Sequence, residues 1–152
     1  MRHELAGRDS KVNYIFETIA CLCDVLALKA DVGIQLKTAY EKGDKKAMET
    51  IANKTLPEIS ERIETFYHAF KSQWYRENRT GGFDSQDLRF GGLKQRILTA
   101  EEMINDYISG KIDRIRELEE KRLPYDGQFS DDRKDINTSC NVWRRISTTN
   151  II

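Results

Sequence analysis

An all-α bundle of three long helices with a short fourth helix and an irregular C-terminal strap is the fold this sequence predicts. Three observations carry the prediction. Apolar residues recur at steps of three and four from Val12 to Leu118, the spacing of one helix face. Glycine, proline and aspartate fall between the periodic stretches, where helices must start and stop. Finally, 152 residues with 39% apolar and 33% charged content suit one compact domain, expected to span positions 1–152, with little room for a second.

The first helix is read from Lys11, with Asp9 or Ser10 as cap. Its apolar stripe is Val12, Phe16, Ile19, Cys23, Leu26, Ala30 and Ile34, and a second row adds Ile15, Leu22 and Leu36. Such width predicts packing against two neighbours, and Gly33 inside the helix predicts a close helix contact, with a bend as the alternative. Gly43 supplies the stop and Asp44 the next cap. The second helical region runs from Lys45 with Met48, Ala52, Leu56, Ile59, Ile63, Phe66, Phe70 and Trp74 on one stripe. Pro57 interrupts it, since its ring collides with the carbonyl four residues back. The stripe keeps phase across the proline, which predicts a small break between nearly collinear halves.

A third helix is expected from about Asp87 to Ser109, burying Leu88, Leu93, Ile97, Ala100, Ile104 and Ile108, with Gly110 ending it. The segment KIDRIRELEEKRLPY reads as a short charged helix with Ile112, Ile115 and Leu118 inside, stopped before Pro124. Beyond Tyr125 the periodicity is lost, and Val142, Trp143 and Ile146 are expected to pin the tail onto the bundle.

Composition excludes several function classes. Twenty-five basic and twenty-five acidic residues cancel, so the pull toward phosphate backbones is missing and nucleic acid is not an expected partner. No stretch approaches the ~20 apolar residues of a membrane span, and the start, MRHELAGRDS, lacks the apolar core of a secretory signal; a cytoplasmic location is expected. Cys21, Cys23 and Cys140 are too few and wrongly spaced for a disulfide framework or a closed zinc site. His68 follows Glu64 at four residues, whereas di-iron bundles repeat Glu-x-x-His, so it reads as structural; no metal and no cofactor is expected. The Asn-x-Ser/Thr triplets at Asn53, Asn78 and Asn137 carry no weight without export.

Chemistry concentrates between Trp74 and Leu93, WYRENRTGGFDSQDLRFGGL. Two Gly-Gly pairs, three arginines, three carboxylates and four aromatic rings stand where a bundle needs only a short turn. No nucleophile elbow and no phosphate loop is present, so Gly81-Gly82 reads as a helix C-cap turn and Gly91-Gly92 as a close backbone contact. Asp84 and Asp87 fit an acid–base carboxylate pair, but three apart at a helix start they equally serve as cap and first-turn residues. Arg89 pairs with one of them in the structural alternative, locking the junction.

The order W-x-x-E-N, G-G-F-D, then Q-D-x-R-x-G-G-L-x-x-R, formed by Trp74, Glu77, Asn78, Gly81 to Asp84, Gln86, Asp87, Arg89, Gly91 to Leu93 and Arg96, resembles the C-terminal helical domain of bacterial glycoside hydrolase family 20 enzymes, the β-N-acetylhexosaminidases. Leu26 to Ala30, Ala39 to Asp44, Tyr107 to Gly110, Glu117 to Glu120 and Trp143 extend the likeness over nearly the whole chain. The resemblance implies a parent with an N-terminal domain, a (β/α)8 catalytic barrel and this domain at its end, hydrolysing terminal non-reducing N-acetyl-D-hexosamine. In that family an Asp-Glu pair in the barrel does the chemistry, and this chain contains no Asp-Glu dipeptide. A barrel alone needs at least ~200 residues. The expectation is therefore an accessory domain without catalytic residues of its own. Its partners are the barrel of the same polypeptide, a second copy in a homodimer, and carbohydrate indirectly. Trp74, Asn78, Phe83, Asp84, Asp87 and Arg89 are the candidates for shaping the barrel's mouth. A free-standing helical interaction module is the competing reading.

Overall fold

The computed structural model describes residues 11–120. Helix α1 spans Asn13–Glu41, α2 Lys45–Thr50, a π-helical turn Ile51–Thr55, α3 Leu56–Glu77 and α4 Phe83–Ile108. No strand occurs among the described residues. A first compact unit ends at Ile115 and a second begins at Arg116, where α5 covers Arg116–Glu119. Among the described residues, with α2, the π turn and α3 taken as the one predicted helical region, three long helices and a short fourth, α5, are thus the architecture found. The predicted caps Asp9 and Ser10, and everything expected of the strap and of Val142, Trp143 and Ile146, lie outside the described residues.

The core forms around α3. Met48, Ala52, Leu56, Ile59 and Ile63 are buried on one stripe, and Phe66, Phe70 and Trp74 continue it half-buried, as the spacing predicts. The stripe survives Pro57 because the backbone widens just before it. The Leu56 N–H reaches the carbonyl of Ile51, five residues back, and Pro57 then sits in the first turn of α3, where its missing N–H leaves no partner wanting. The side chains of Asn53 and Asn105 clasp this π turn to α4 by reciprocal hydrogen bonds of 3.3 and 3.1 Å.

Helix stops follow the sequence reading. Gly43 (φ +66°) ends α1 and Gly110 (φ +78°) ends α4, both in the left-handed region that glycine enters without strain. The Asp44 carboxylate accepts from the Ala47 N–H at 3.0 Å and caps α2. At this end of the bundle Tyr40 and Tyr107 pack with ring centroids 5.1 Å apart, and the Ile115 N–H donates to the Tyr40 hydroxyl at 3.1 Å.

Four expectations are corrected. Helix α1 starts after Val12 with no side-chain cap, and it buries Thr18, Cys21, Val25 and Ala39, not the predicted stripe. Phe16, Ile19, Leu22, Cys23, Leu26 and Ile34 lie on the exposed side; Ile19 is 51% exposed. The reason is that α1 is apolar on two opposite faces, and α3 packs on the one whose small residues allow close approach. Helix α4 begins four residues earlier than expected, because burial of Phe83 draws the chain into the helix, and Leu88 is 78% exposed. A Cβ placed on Gly33, Gly91 or Gly92 would meet nothing within 4 Å, so the predicted close contacts are not made among the described residues. The charged helix shortens to four residues, although Ile115 just before it is buried as expected.

These burial assignments can be ranked by mutation. Ile59→Ala, which empties a fully buried site, should cost about 3 kcal/mol in urea unfolding. Ile19→Gln should stay within about 0.5 kcal/mol of the parent, the range of an exposed position. The opposite order would restore the predicted stripe.

Candidate functional site

The corner between α3 and α4 gathers the sequence-predicted site residues, but it does not aim them at one point. Asn78 caps the end of α3 in an extended conformation, its N–H bonded to the Trp74 carbonyl at 2.8 Å. Gly82 (φ +96°) then turns the chain into α4 as its N-cap, a left-handed position, which places the positive-φ glycine at a helix start and not at the predicted C-cap.

Phe83 is the anchor of the corner. It is 2% exposed and meets Tyr75 at 5.3 Å, Trp74 at 5.7 Å, Tyr67 at 6.0 Å and Phe70 at 6.1 Å between ring centroids. Trp74 stands edge-on to Phe83 and Phe70, and its Nε1–H donates to the Arg79 carbonyl at 3.2 Å. Both rings therefore serve packing, and Phe83 offers no face to a sugar. Phe66 and Phe90, 5.6 Å apart, extend the same aromatic cluster along the α3–α4 seam.

The polar candidates separate. Asp84 lies exposed in the first turn of α4, where a carboxylate opposes the positive end of the helix, the first-turn role expected of it. Asp87 instead accepts from the Tyr67 hydroxyl at 2.8 Å, a bond from α4 to α3 that raises the Tyr67 phenol above its ordinary range. Arg89 is exposed and forms no ion pair with Asp84 or Asp87, so the expected salt-bridge lock is absent. Residues two apart on a helix point in different directions, which is why Arg89 cannot follow Asp87. The two aspartates thus take different places, Asp84 in the first turn of α4 and Asp87 bonded to Tyr67 across the seam.

Sequence reasoning missed the contacts that tie α1 to this corner. The Tyr14 hydroxyl donates to Glu77 Oε1 at 2.6 Å, Gln73 Nε2 donates to Glu77 Oε2 at 3.1 Å, and the Arg76 guanidinium lies 4.3 Å over the Tyr14 ring. No periodicity signals such cross-helix partners; they become adjacent only when α1 lies along α3. Beside them runs an open groove of about 430 Å³ lined by Tyr14, Glu17, Cys21, Thr65, His68, Ala69 and Ser72. Its His68 is paired to Glu64 at 3.0 Å, and Lys94 also donates to Glu64, holding that carboxyl below its ordinary range. Among the described residues no group of three His, Cys, Asp or Glu side chains is placed to hold a metal ion.

Over residues 1–137 the chain matches the family described as the Glycoside Hydrolase 20C C-terminal domain. No curated protein matches it.

The Tyr14–Glu77 bond sets a pH dependence. It is the main reason Glu77 lies below the ordinary carboxylate range, with Gln73 second, and the same bond lifts Tyr14 above the ordinary phenol range. A depressed carboxyl adds stability above its unfolded pKa and loses it as pH falls through the folded value; a raised phenol adds stability below its unfolded pKa and loses it as pH rises through the folded value. The stability gap between the parent and Tyr14→Phe should thus be widest between roughly pH 5 and 9 and close on both sides. Thermal unfolding across pH measures it, and a gap constant with pH would contradict the bond. Phe83→Ala, by contrast, should cost about 3–5 kcal/mol at neutral pH in the same experiment.

Proposed function

This chain belongs to the Glycoside Hydrolase 20C C-terminal domain family, and from that premise we propose that it is the non-catalytic accessory domain of a β-N-acetylhexosaminidase. The family match is the observation that carries the reading. It makes the parent a glycoside hydrolase and this chain a domain that accompanies the hydrolytic one. In the proposed arrangement the domain packs on the catalytic barrel of its own polypeptide, and the barrel removes terminal N-acetyl-D-hexosamine residues.

The chemistry of the corner supports an accessory role. Phe83 and Trp74 are engaged in packing and the exposed Asp87 is held by Tyr67, which leaves Asn78, Asp84 and Arg89 as the exposed polar side chains of the set that no cross-helix bond holds. Such groups supply hydrogen bonds and charge at the edge of a neighbour's site; they do not form a general acid, base or nucleophile with an orienting partner. A place for this edge at the mouth of the barrel, in the same subunit or across a homodimer, is the specific form of the proposal.

Two measurements test it. The purified chain should release no chromophore from a nitrophenyl N-acetylglucosaminide, while the polypeptide carrying it together with the barrel does. In that longer polypeptide Arg89→Ala should leave stability within about 0.5 kcal/mol, since no folded partner is lost, and should raise KM several-fold. Unchanged KM and kcat would remove the corner from the mouth. Hydrolysis by the chain alone would overturn the accessory reading itself.

A further inference from the structure

The outer face of α1 has the geometry of a helix-docking seam. Val12, Phe16, Ile19, Cys23, Leu26 and Ala30 follow one another at steps of four, three, four, three and four, the alternation of a seven-residue repeat that keeps an apolar row facing a second helix along its length. That row lies opposite the face α1 gives to α3, where Thr18, Cys21 and Val25 are buried. Gly33, at the next seam position, has open space around it and permits close backbone approach. The period excludes a strand or an irregular loop as the natural occupant, because only a helix meets a seam of this spacing residue by residue.

Area and charge narrow the occupant. The exposed large side chains of this face, Ile19 and Ile34 among them, present on the order of 600 Å². With an equal contribution from a partner the contact reaches roughly 1,200 Å², below the ~1,600 Å² of a stable association between free proteins but within the range of contacts between domains of one chain. A tethered partner needs less area, since the linker supplies a high effective concentration. Glu17, Asp24 and Asp31, seven residues apart, run along one flank of the seam, which disfavours an anionic lipid surface.

We infer that the Phe16–Ile34 face of α1 is the surface by which this domain docks on an amphipathic helix of the domain preceding it in the same polypeptide. The inference rests on the chain being a C-terminal domain and names the surface and partner that this reading leaves open.

Cys23 lies in the seam and is exposed, whereas Cys21 is buried on the α3 side, so the two thiols report the two faces of one helix. Maleimide labelling, read peptide by peptide by mass spectrometry, is compared between this chain alone and the polypeptide extended through the preceding domain. Expected is ready labelling of Cys23 in the chain alone, independent of concentration, and labelling slower by about tenfold or more in the extended polypeptide. In the extended form Ile19→Glu, at an exposed position that leaves the fold intact by circular dichroism, restores the labelling and separates one thermal transition into two. Equal reactivity of Cys23 in both forms overturns the inference. So does protection in the chain alone: rising with concentration it identifies a second copy, and constant with concentration it identifies the chain's own remaining residues. Hydrolytic activity of the extended polypeptide is scored separately; its absence removes the hexosaminidase reading while leaving a protected Cys23 as evidence for docking.

Discussion

Everything in this bundle leans on one apolar stripe, the row from Met48 to Trp74, and on the π turn that keeps it in phase across Pro57. A proline in the middle of a helix removes a hydrogen bond and drives its ring into the preceding turn. Either effect would rotate the residues after it off the stripe. Here the widened turn from Ile51 to Thr55 absorbs the mismatch, so Ile51, Ala52 and Leu56 before the proline and Ile59 and Ile63 after it stay buried together. Helices α1 and α4 both pack on that wall, and the Asn53–Asn105 clasp fixes α4 at the turn itself.

The two ends of the wall differ in character. Toward the π turn it is aliphatic and dry, built from Met48, Ile59, Ile63 and Ile104. Toward the end of α3 it becomes aromatic, and Phe83 closes it from α4. Aromatic rings with a polar tip let the corner be packed and hydrogen-bonded at once: Tyr67 reaches Asp87, Tyr14 reaches Glu77, and Trp74 reaches the Arg79 carbonyl. The motif that resembles glycoside hydrolase family 20 is thus largely the recipe for a rigid turn. What it leaves on the surface is a set of exposed polar groups, Asn78, Asp84 and Arg89.

How much of this was legible in the chain depends on the range of the cause. Gly43, Pro57 and Gly110 act through their own backbone and Asp44 through a carboxylate that reaches three residues along it, and each does in the fold what its chemistry dictates. The α3 stripe was legible for a related reason: it is the only broad apolar face on its helix, so no competing choice existed. The candidate site was legible as a location, since Trp74 through Arg89 does form one corner. The roles within it were not. Phe83 reads as a platform until its neighbours surround it, and Asp87 reads as a cap or a partner of Arg89 until Tyr67 arrives from the other helix.

The sequence by itself determined the class of fold, the helix stops at Gly43 and Gly110 and the family, because capping, φ preference and apolar period are properties of neighbours along the chain. Only the tertiary structure decided which side of α1 enters the core. That helix is apolar on two opposite faces, and hydrophobic periodicity is blind to which of two such faces a distant stripe will meet. Packing against α3 selected Thr18, Cys21 and Val25, and so turned the row from Phe16 to Ile34 outward as the surface by which this domain meets the rest of its polypeptide in the arrangement proposed.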